Sequence, residues 1–446
     1  MSKCVFLLKV YALALISNAL VAQTFSGSQH SHWPMTVGSR WIYQSESSDS
    51  SRNGMVTVME VLPSPSVFGC LSSGTSASSP FQVAIYKIDP RAYWDINRSR
   101  RLRWMVGVHP SGYTPTSQAG SLFALGWYIT GLDETPETGS TINLRSTTPS
   151  SNLPYLLLRA GGGTSMENVY HNVYQHSGSA PNYGCASGSA LFQANWSVTY
   201  TPNQYYSTPG FSGFMLKAQY HETNPVPNQP PQTEQYIEDW YFAQSIGPVV
   251  IHTHKQQGIV PEQVSWQRIK LVSYQAGSGA PGPAGVTLRD ALIARAGTTS
   301  GLNFYQWGYY FERTTNLTGL PPNYACVSSP TSPMTVDAYL SALETVGTSS
   351  CTALTYSNLS NGANPNTALQ SMISQSGASR LRWDQWNYYL TNVTGIVGQA
   401  PENVCMQTVS VDSTNYVPNR YLLLTPRQWL LYYQHYYMPS VITCWS

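Results

Sequence analysis

Charged residues are scarce in this sequence, which limits the partners it can attract. They make up 10% of the 446 residues, against about 25% in an average soluble protein. Because 23 basic residues nearly balance 21 acidic ones, the net charge of +2 predicts no general affinity for nucleic acid or for an anionic membrane. With 42% hydrophobic and 12% aromatic residues, the composition also excludes a disordered chain.

Long hydrophobic runs are absent beyond the N-terminus. Residues 1–22 have the pattern of a signal peptide, in which Lys3 and Lys9 lead into an apolar run that small residues close. No later run approaches the roughly 20 apolar residues that a membrane-spanning helix requires. We therefore expect a secreted, cell-surface or periplasmic protein with no transmembrane segment after signal removal.

Cysteine is also sparse. Removing the signal peptide removes Cys4 and leaves six cysteines, which are Cys70, Cys185, Cys326, Cys351, Cys405 and Cys444. No two of them have the C-x-x-C spacing of a zinc knuckle, which argues against a cysteine metal site. An even number in an exported chain favours disulfides, although the sequence alone does not choose among the possible pairings. Each copy of the repeat described below carries two of these cysteines, and on that basis we predict three pairs. These are Cys326 with Cys351, Cys405 with Cys444, and Cys70 with Cys185.

Several common catalytic motifs are missing. The sequence has no G-x-S-x-G elbow, P-loop, H-E-x-x-H motif or Rossmann fingerprint, so the commonest hydrolases, proteases and nucleotide-binding proteins are disfavoured and no cofactor is predicted. Carboxylate pairs for glycoside hydrolysis could come from Glu134 with Glu137, or from Glu234, Glu238 and Asp239. Such a pair must lie about 5 to 10 Å apart, which a sequence does not show.

An alternation of apolar and polar residues with period two occupies residues 30–275. Trp196, Val198 and Tyr200, for example, would share one face of a strand, opposite Ser197 and Thr199. The pattern predicts twelve strands, at 40–44, 55–62, 81–87, 102–106, 122–130, 155–159, 169–176, 195–200, 214–220, 236–243, 249–254 and 264–274. Because no helix is predicted between them, they favour a mainly β domain built as an antiparallel sandwich or barrel.

Both ends of this region carry a short resemblance to known proteins. His32–Tyr43 (HWPMTVGSRWIY) resembles the aromatic-Pro-Leu-x-x-Gly-x-x-Trp-x-Tyr opening of a group of uncharacterised exported bacterial β proteins and lipoproteins. Residues 239–249 are similar to the closing Trp-Tyr-Ala-x-Gly-x-Gly-x-Val segment of that group, with Ser245 and Pro248 where the group tends to have Gly and Leu. The resemblance implies export and a β fold, and it implies no activity.

The C-terminal part of the chain contains an internal duplication. Gln306–Tyr310 (QWGYY) recurs as Gln385–Tyr389 (QWNYY), each with an apolar stripe typical of a buried helix face. Capping-box patterns also recur, beginning at Thr287 and Thr367, and a further helix follows each Trp-x-Tyr-Tyr segment, one after Thr335 and one after Thr425.

We therefore divide the chain into a signal peptide, a β domain, a linker and two helical repeats. The β domain spans 30–275, the Gly- and Ser-rich linker 276–286, and the α-helical, disulfide-stapled repeats 287–355 and 364–446. Helical units this small often need a covalent staple, which the predicted disulfides would provide.

Arginines are concentrated in one segment of a chain that has few charges. The candidate ligand-binding residues are Arg98, Arg100, Arg101, Arg103 and Trp104. On a strand, Arg101 and Arg103 would share a face, and their guanidinium groups would suit sulfate, phosphate or carboxylate groups. The alternative is a solvated strand face on which arginines stack against aromatic rings.

Two H-x-H pairs, His30 with His32 and His252 with His254, would each point to one side of a strand, as a metal site needs. The pairs could meet if the first and last strands of the β domain are neighbours. Because the sequence reveals no acidic partner for them, surface histidines are the favoured interpretation and no metal is predicted.

The remaining polar character is neutral, and the sequence contains 31 Tyr and 13 Trp. Such a composition suits a surface on which sugar rings stack, and equally a large aromatic core. The sequence predicts an exported, non-enzymatic binding protein that recognises a glycan or a protein partner at the cell surface. A secreted carbohydrate-active hydrolase and a structural coat or matrix subunit are the alternatives. The oligomeric state is not predicted.

Overall fold

The structure is a computed structural model that describes most of the β region and parts of the helical region. The described residues are 30–47, 53–63, 82–89, 101–109, 119–130, 141–146, 155–160, 166–176, 191–225, 233–257, 265–283, 285–315, 330–346, 374, 380–392 and 422–429.

Thirteen strands precede the helices in this part of the chain. They are β1 (Arg40–Ser47), β2 (Val56–Leu62), β3 (Gln82–Asp89), β4 (Arg101–Val108), β5 (Leu122–Thr130), β6 (Thr141–Ser146), β7 (Tyr155–Leu158), β8 (Met166–His176), β9 (Phe192–Thr208), β10 (Phe211–Pro225), β11 (Thr233–Ala243), β12 (Gly247–Gln257) and β13 (Ser265–Gln275). The helices are α1 (Leu288–Ala296), α2 (Phe304–Thr315), α3 (Val336–Val346) and α4 (Trp383–Asn392), with short strands β14 (Leu381–Arg382) and β15 (Leu423–Leu424).

The period-two pattern located the sheet correctly, because all twelve predicted strands are present. The strand that it missed is β6, in which only Ile142 and Leu144 interrupt polar residues. Two apolar positions provide too little alternation to distinguish a strand from a polar loop.

The strands form one antiparallel sheet whose pairings return to their starting point. The order is β4-β3-β2-β1-β13-β12-β11-β10-β9-β8-β6-β5-β7, and β4 also pairs with β5. The first and last strands are neighbours, as Arg40 pairs with Gln275. The result is a barrel-like sheet, which has fewer free edges for another chain to join.

One face of this sheet is turned toward a large aromatic core. Its largest fully buried side chains are Trp33, Trp41, Trp240, Tyr43, Tyr86 and Tyr220. Trp104 stacks on Trp240 with ring centroids 5.2 Å apart, and Tyr220 meets the same ring edge-on at 5.8 Å. Four of these side chains, Trp41, Tyr43, Tyr86 and Tyr220, donate to backbone carbonyls. The Tyr86 hydroxyl, for example, donates to Pro34 O over 2.8 Å. Much of the aromatic content is therefore structural.

The opening and closing segments of the β region meet in this core. Trp41 donates from Nε1 to Ile246 O over 2.5 Å, and the Tyr43 hydroxyl donates to Pro248 O over 2.7 Å. Gly247 has a φ of 96°, and a Cβ atom there would lie 3.3 Å from the Trp41 ring. The opening and closing segments of the β region are thus bonded to each other through these two aromatic side chains.

The helices pack on the opposite face of β1, β2 and β13. Alternate residues of these strands, Ile42, Val58 and Val272, point away from the aromatic core and join a second one. Its helical members include Leu288, Leu292, Phe304, Trp307, Leu340, Trp386 and Trp429. The segment predicted to be a linker is fixed to the turn that precedes β1, because Gly277 N–H donates to Ser39 Oγ over 3.1 Å and Gly279 N–H to Val37 O over 3.0 Å.

α1 begins at the predicted capping box. Thr287 and Asp290 form a reciprocal capping box at its start, and Gly297, with a φ of 67°, closes it in the left-handed conformation. No helix among the described residues is long and apolar enough to span a lipid bilayer.

The two Trp-x-Tyr-Tyr segments form helices α2 and α4, as predicted. Trp307 and Trp386 are both fully buried in the second core. Trp307 Nε1 donates to Met334 O over 3.0 Å, and Trp386 Nε1 donates to Leu424 O over 2.9 Å. In each case the accepting residue directly precedes a threonine, Thr335 before α3 or Thr425 before the helical residues 426–429. The predicted capping box at Thr367 and all six cysteines of the predicted disulfides lie outside the described residues.

Candidate functional site

The predicted arginine site is described only in part. Arg103 lies in β4 and is 1% exposed, and Trp104 on the other face of the strand belongs to the aromatic core. An exposed anion-binding face would therefore need the remaining arginines, whose side chains lie outside the described residues. These are Arg98, Arg100 and Arg101.

Arg103 belongs to a buried row of charges that runs across four strands. Arg40 lies opposite Glu60, Glu60 opposite Lys87, and Lys87 opposite Arg103. Arg40 Nη1 donates to Glu60 Oε2 over 2.6 Å, and Lys87 Nζ lies 3.4 Å from the same oxygen. Buried charges require such partners, so the row is a feature of the fold.

The first H-x-H pair is part of the structural framework. His30 is buried and its Nε2 lies 3.2 Å from Arg159 O, while His32 N–H donates to His30 Nδ1 over 3.2 Å. His30 Nδ1 is therefore the acceptor and Nε2 carries the hydrogen. Burial lowers the pKa of His30 to about 4, against an upward contribution from the bond to Arg159. This imidazole is neutral at physiological pH. It links the segment before β1 to Arg159, the residue that follows β7.

The second pair forms a three-residue cluster with an acid. His252 and His254 occupy alternate positions of β12 and share the face turned away from the aromatic core, and Asp239 of β11 lies directly opposite His252. The potential ligand atoms of the three side chains lie within 4.8 Å of one another. His254 Nε2 and His252 Nδ1 are 3.1 Å apart. We refer to Asp239, His252 and His254 as the β11–β12 cluster.

One lysine and one glutamine contact the carboxylate of this cluster. Lys217 Nζ lies 3.0 Å from Asp239 Oδ2, and Gln219 Nε2 donates to Asp239 Oδ1 over 2.9 Å. On the other side of His252, its register partner Arg268 donates to the Tyr206 hydroxyl over 3.1 Å. The cluster is therefore part of a polar strip on the outer face of β10 to β13.

Both histidines of the cluster are uncharged at neutral pH. Burial lowers the pKa of His252 to about 4, with a smaller contribution from the adjacent His254. Burial also lowers the pKa of His254, although Asp239 opposes that shift. Neutral imidazoles keep a lone pair that can accept a hydrogen or bind a cation.

The sequence contained a signal for the acid that our interpretation missed. The predicted strands at 236–243 and 249–254 are separated by a turn short enough for a hairpin, and an antiparallel hairpin places Asp239 opposite His252 or a neighbouring residue. The choice among these registers depends on the irregularity between Tyr241 and Phe242, which a pattern of alternation does not reveal.

A second candidate surface lies on the long β9–β10 hairpin. Tyr205 and Phe214 are 63% and 69% exposed and lie directly opposite each other on the two strands. Their rings meet edge-to-face with centroids 5.5 Å apart. We call these two residues the hairpin aromatic pair.

The predicted acid pair of Glu238 and Asp239 is divided between the two faces of β11. Glu238 points toward the aromatic core, where it accepts hydrogen bonds from Trp240 Nε1 over 2.8 Å and Thr253 Oγ1 over 3.2 Å. Burial raises the pKa of Glu238 to about 7, and those two hydrogen bonds partly oppose the shift. Because adjacent residues of a strand point to opposite faces, Glu238 and Asp239 cannot act together on one glycosidic bond. The remaining predicted acids, Glu134, Glu137 and the Glu234 side chain, lie outside the described residues.

No known protein family matches the chain, and no curated protein matches it significantly. A candidate exported protein with a YmcC-like fold from Bacteroides fragilis has 10% sequence identity and a TM-score of 0.28, and the match covers 55% of this chain and 99% of that one. A candidate lipoprotein from Parabacteroides distasonis has 9% identity and a TM-score of 0.25, with 56% of this chain and 100% of that chain covered. At these TM-scores, the likeness supports no conclusion about function.

Proposed function

We propose that this chain is an exported, non-enzymatic binding protein that recognises a glycan through the hairpin aromatic pair. The observation that carries the proposal is the exposure of two large rings, Tyr205 and Phe214, side by side on a regular strand pair. Neither ring is buried in the hydrophobic core. Large exposed apolar groups that adjoin one another often mark a binding surface.

The surroundings of the pair suit a neutral sugar. The Tyr205 hydroxyl and Ser212 Oγ lie 2.8 Å apart, which restrains the Tyr205 ring. On the same face of β9, Asn203 and Ser207 contribute amide and hydroxyl groups without charge. Pyranose faces can stack on aromatic rings while such groups bond the sugar hydroxyls.

The hairpin that carries the aromatic pair is anchored to the rest of the sheet. Gly210, at the turn of the hairpin, donates from N–H to Leu271 O of β13 over 3.0 Å. On the strand face opposite Tyr205, Tyr206 contacts Tyr241 with ring centroids 5.2 Å apart. Because the hairpin is anchored at its turn and on one side, little ordering entropy would be lost on binding.

A glycan array probed with the mature protein tests the proposal. We expect binding to neutral oligosaccharides, and at least about tenfold weaker affinity for the double variant Tyr205→Ala, Phe214→Ala. Tyr388→Ala is the matched control, because Tyr388 is 62% exposed but lies on α4. Equal binding by wild type and double variant would contradict the proposal. So would an array without any bound glycan, whether or not a protein partner is found.

A secreted carbohydrate-active hydrolase is the second candidate. The observation that favours it is Glu238, whose pKa of about 7 would keep a large share of the carboxyl protonated near neutrality, as a general acid requires. Release of reducing sugar from mixed polysaccharides, abolished in Glu238→Gln, would support this function. A wild-type protein that releases no sugar would eliminate it. For the coat or matrix alternative, concentration-dependent assembly in size exclusion would be the supporting result.

We further infer that the helical region contains two copies of one module, bounded as predicted and each closed by its own disulfide. Support comes from the matched indole hydrogen bonds of Trp307 and Trp386. The same hydrogen bond at the start of each Trp-x-Tyr-Tyr helix also supports the inference. Asn303 N–H donates to Gln306 Oε1 over 2.9 Å, and Arg382 N–H donates to Gln385 Oε1 over 3.0 Å. Non-reducing peptide mapping should find Cys326 linked to Cys351 and Cys405 to Cys444. Links between the copies would exclude this pairing.

A further inference from the structure

We propose that Asp239, His252 and His254 bind a divalent transition-metal ion, with zinc as the defining test ion. The site is separate from the proposed glycan surface, because none of its residues belongs to the hairpin aromatic pair. It also departs from the sequence interpretation, which predicted no metal because no acid accompanied the histidines.

The donor atoms already have the spacing of ligands around one ion. Zinc binds imidazole nitrogen and carboxylate oxygen at about 2.0 to 2.2 Å, so tetrahedral ligands lie about 3.3 Å apart. His254 Nε2 and His252 Nδ1 are 3.1 Å apart, and all three ligand groups fall within 4.8 Å. An ion can replace the single hydrogen that these two nitrogens share, and only a small closing movement of the carboxylate completes the set.

The backbone fixes this arrangement. Both histidines come from alternate positions of β12, and strand geometry points such side chains to the same face. Asp239 comes from the adjacent strand in direct register with His252. Ligands on paired strands are more precisely held than ligands on loops, so little rearrangement is needed on binding.

The type of donor restricts the ion. Two imidazoles and one carboxylate suit zinc, nickel or copper better than calcium or magnesium, which prefer oxygen ligands. Three protein ligands leave at least one coordination position for water, and the partial exposure of all three side chains gives solvent access to it.

Two cations oppose the incoming ion and provide the sharpest test. Lys217 Nζ pairs with Asp239 Oδ2 over 3.0 Å and must be displaced or share the oxygen. Arg268, opposite His252, lies on the other side. Removal of the Lys217 charge should therefore strengthen metal binding, which a merely structural role of Asp239 would not explain.

Titration calorimetry of the full mature chain with zinc chloride, after treatment with chelator, tests the site. We expect one ion per chain. Affinity should be at least tenfold weaker in Asp239→Asn and in His252→Ala with His254→Ala, and several-fold stronger in Lys217→Gln. The matched control is His32→Ala, which removes a partly exposed histidine from the other H-x-H pair and should bind as wild type does.

Absence of zinc binding by the wild type would overturn the proposal, as would undiminished binding by the double histidine variant. If that variant fails to fold, the other two decide. Weaker binding by Asp239→Asn together with stronger binding by Lys217→Gln supports the site, and unchanged affinity in both excludes it. Glycan binding is measured separately, so failure of either proposal leaves the other open to its own test.

Discussion

Arg40 of the first strand donates to the Asp290 carboxylate of α1 over 2.5 Å, in a position where both side chains are buried. The same carboxylate oxygen accepts the Thr287 N–H over 2.8 Å as part of the capping box. The acid that begins the first helix therefore also attaches that helix to the sheet. Arg40 completes the connection by donating to Pro283 O and Gly285 O in the preceding segment.

Arg40→Met should destabilise the protein by about 3 to 5 kcal/mol, because it leaves the Asp290 charge buried without its cation. Urea unfolding followed by far-UV circular dichroism measures the loss. The control is Arg289→Met, one residue before Asp290. Its partner Asp337 lies 2.7 Å away, but the two side chains are 35% and 61% exposed, so the expected cost is below about 1 kcal/mol. Equal losses in both variants would argue against a special role for Arg40.

Glu238 should make the protein less stable as the pH rises. Its pKa is raised from 4.5 to about 7 by burial, so the folded state binds more protons than the unfolded state between these values. Stability is therefore expected to fall across that window, by roughly 3 kcal/mol in total, and to level off above it. The difference between wild type and Glu238→Gln, measured by urea unfolding from pH 5 to pH 8, isolates this contribution. Parallel stability curves for the two proteins would contradict it.

Ser245→Gly should stabilise the protein by up to about 1 kcal/mol. Ser245 has a φ of 63°, a left-handed conformation that disfavours side chains. Asn203→Gly serves as the comparison, because Asn203 has a φ of 57° but asparagine tolerates this region well. Thermal unfolding should show a higher midpoint for the first variant and little change for the second. A lower midpoint for Ser245→Gly would mean that the serine side chain contributes more than its backbone strain costs.

Trp307→Phe and Trp386→Phe should have similar effects if the two helical modules are equivalent. Each substitution leaves one backbone carbonyl, Met334 O or Leu424 O, without its indole donor and opens space in the second core. We expect a loss of about 2 to 4 kcal/mol in each case, measured by urea unfolding. A large loss in one variant with none in the other would show that the modules are not equivalent in energy.

The sheet was predictable because its strands have one buried face, and burial on one face produces the alternation of residues that a sequence displays. The alternation at Trp196, Val198 and Tyr200 became a strand with those three side chains buried. Capping chemistry was equally local, and it placed the start of α1 at Thr287. Such features depend on residues close together along the chain.

Features that depend on register across strands were not predictable in the same way. Arg103 was expected on an exposed face, but its strand lies beside Lys87 in a covered row of charges. Asp239 was considered as a catalytic acid and the histidines as an isolated pair, since alternation alone does not show which residues stand opposite one another. The β11–β12 cluster emerges only when both strands are aligned.

The pairing of β1 with β13 has a consequence for biogenesis. Arg40 emerges early from the ribosome, whereas its neighbour Gln275 is made only after the rest of the sheet. Until then, β1 exposes on one side a row of backbone groups that attract other extended chains. Pairing between strands so far apart along the chain is expected to be slow. A nascent chain in transit would therefore benefit from a holding chaperone, and truncations that end before residue 265 should aggregate rather than fold.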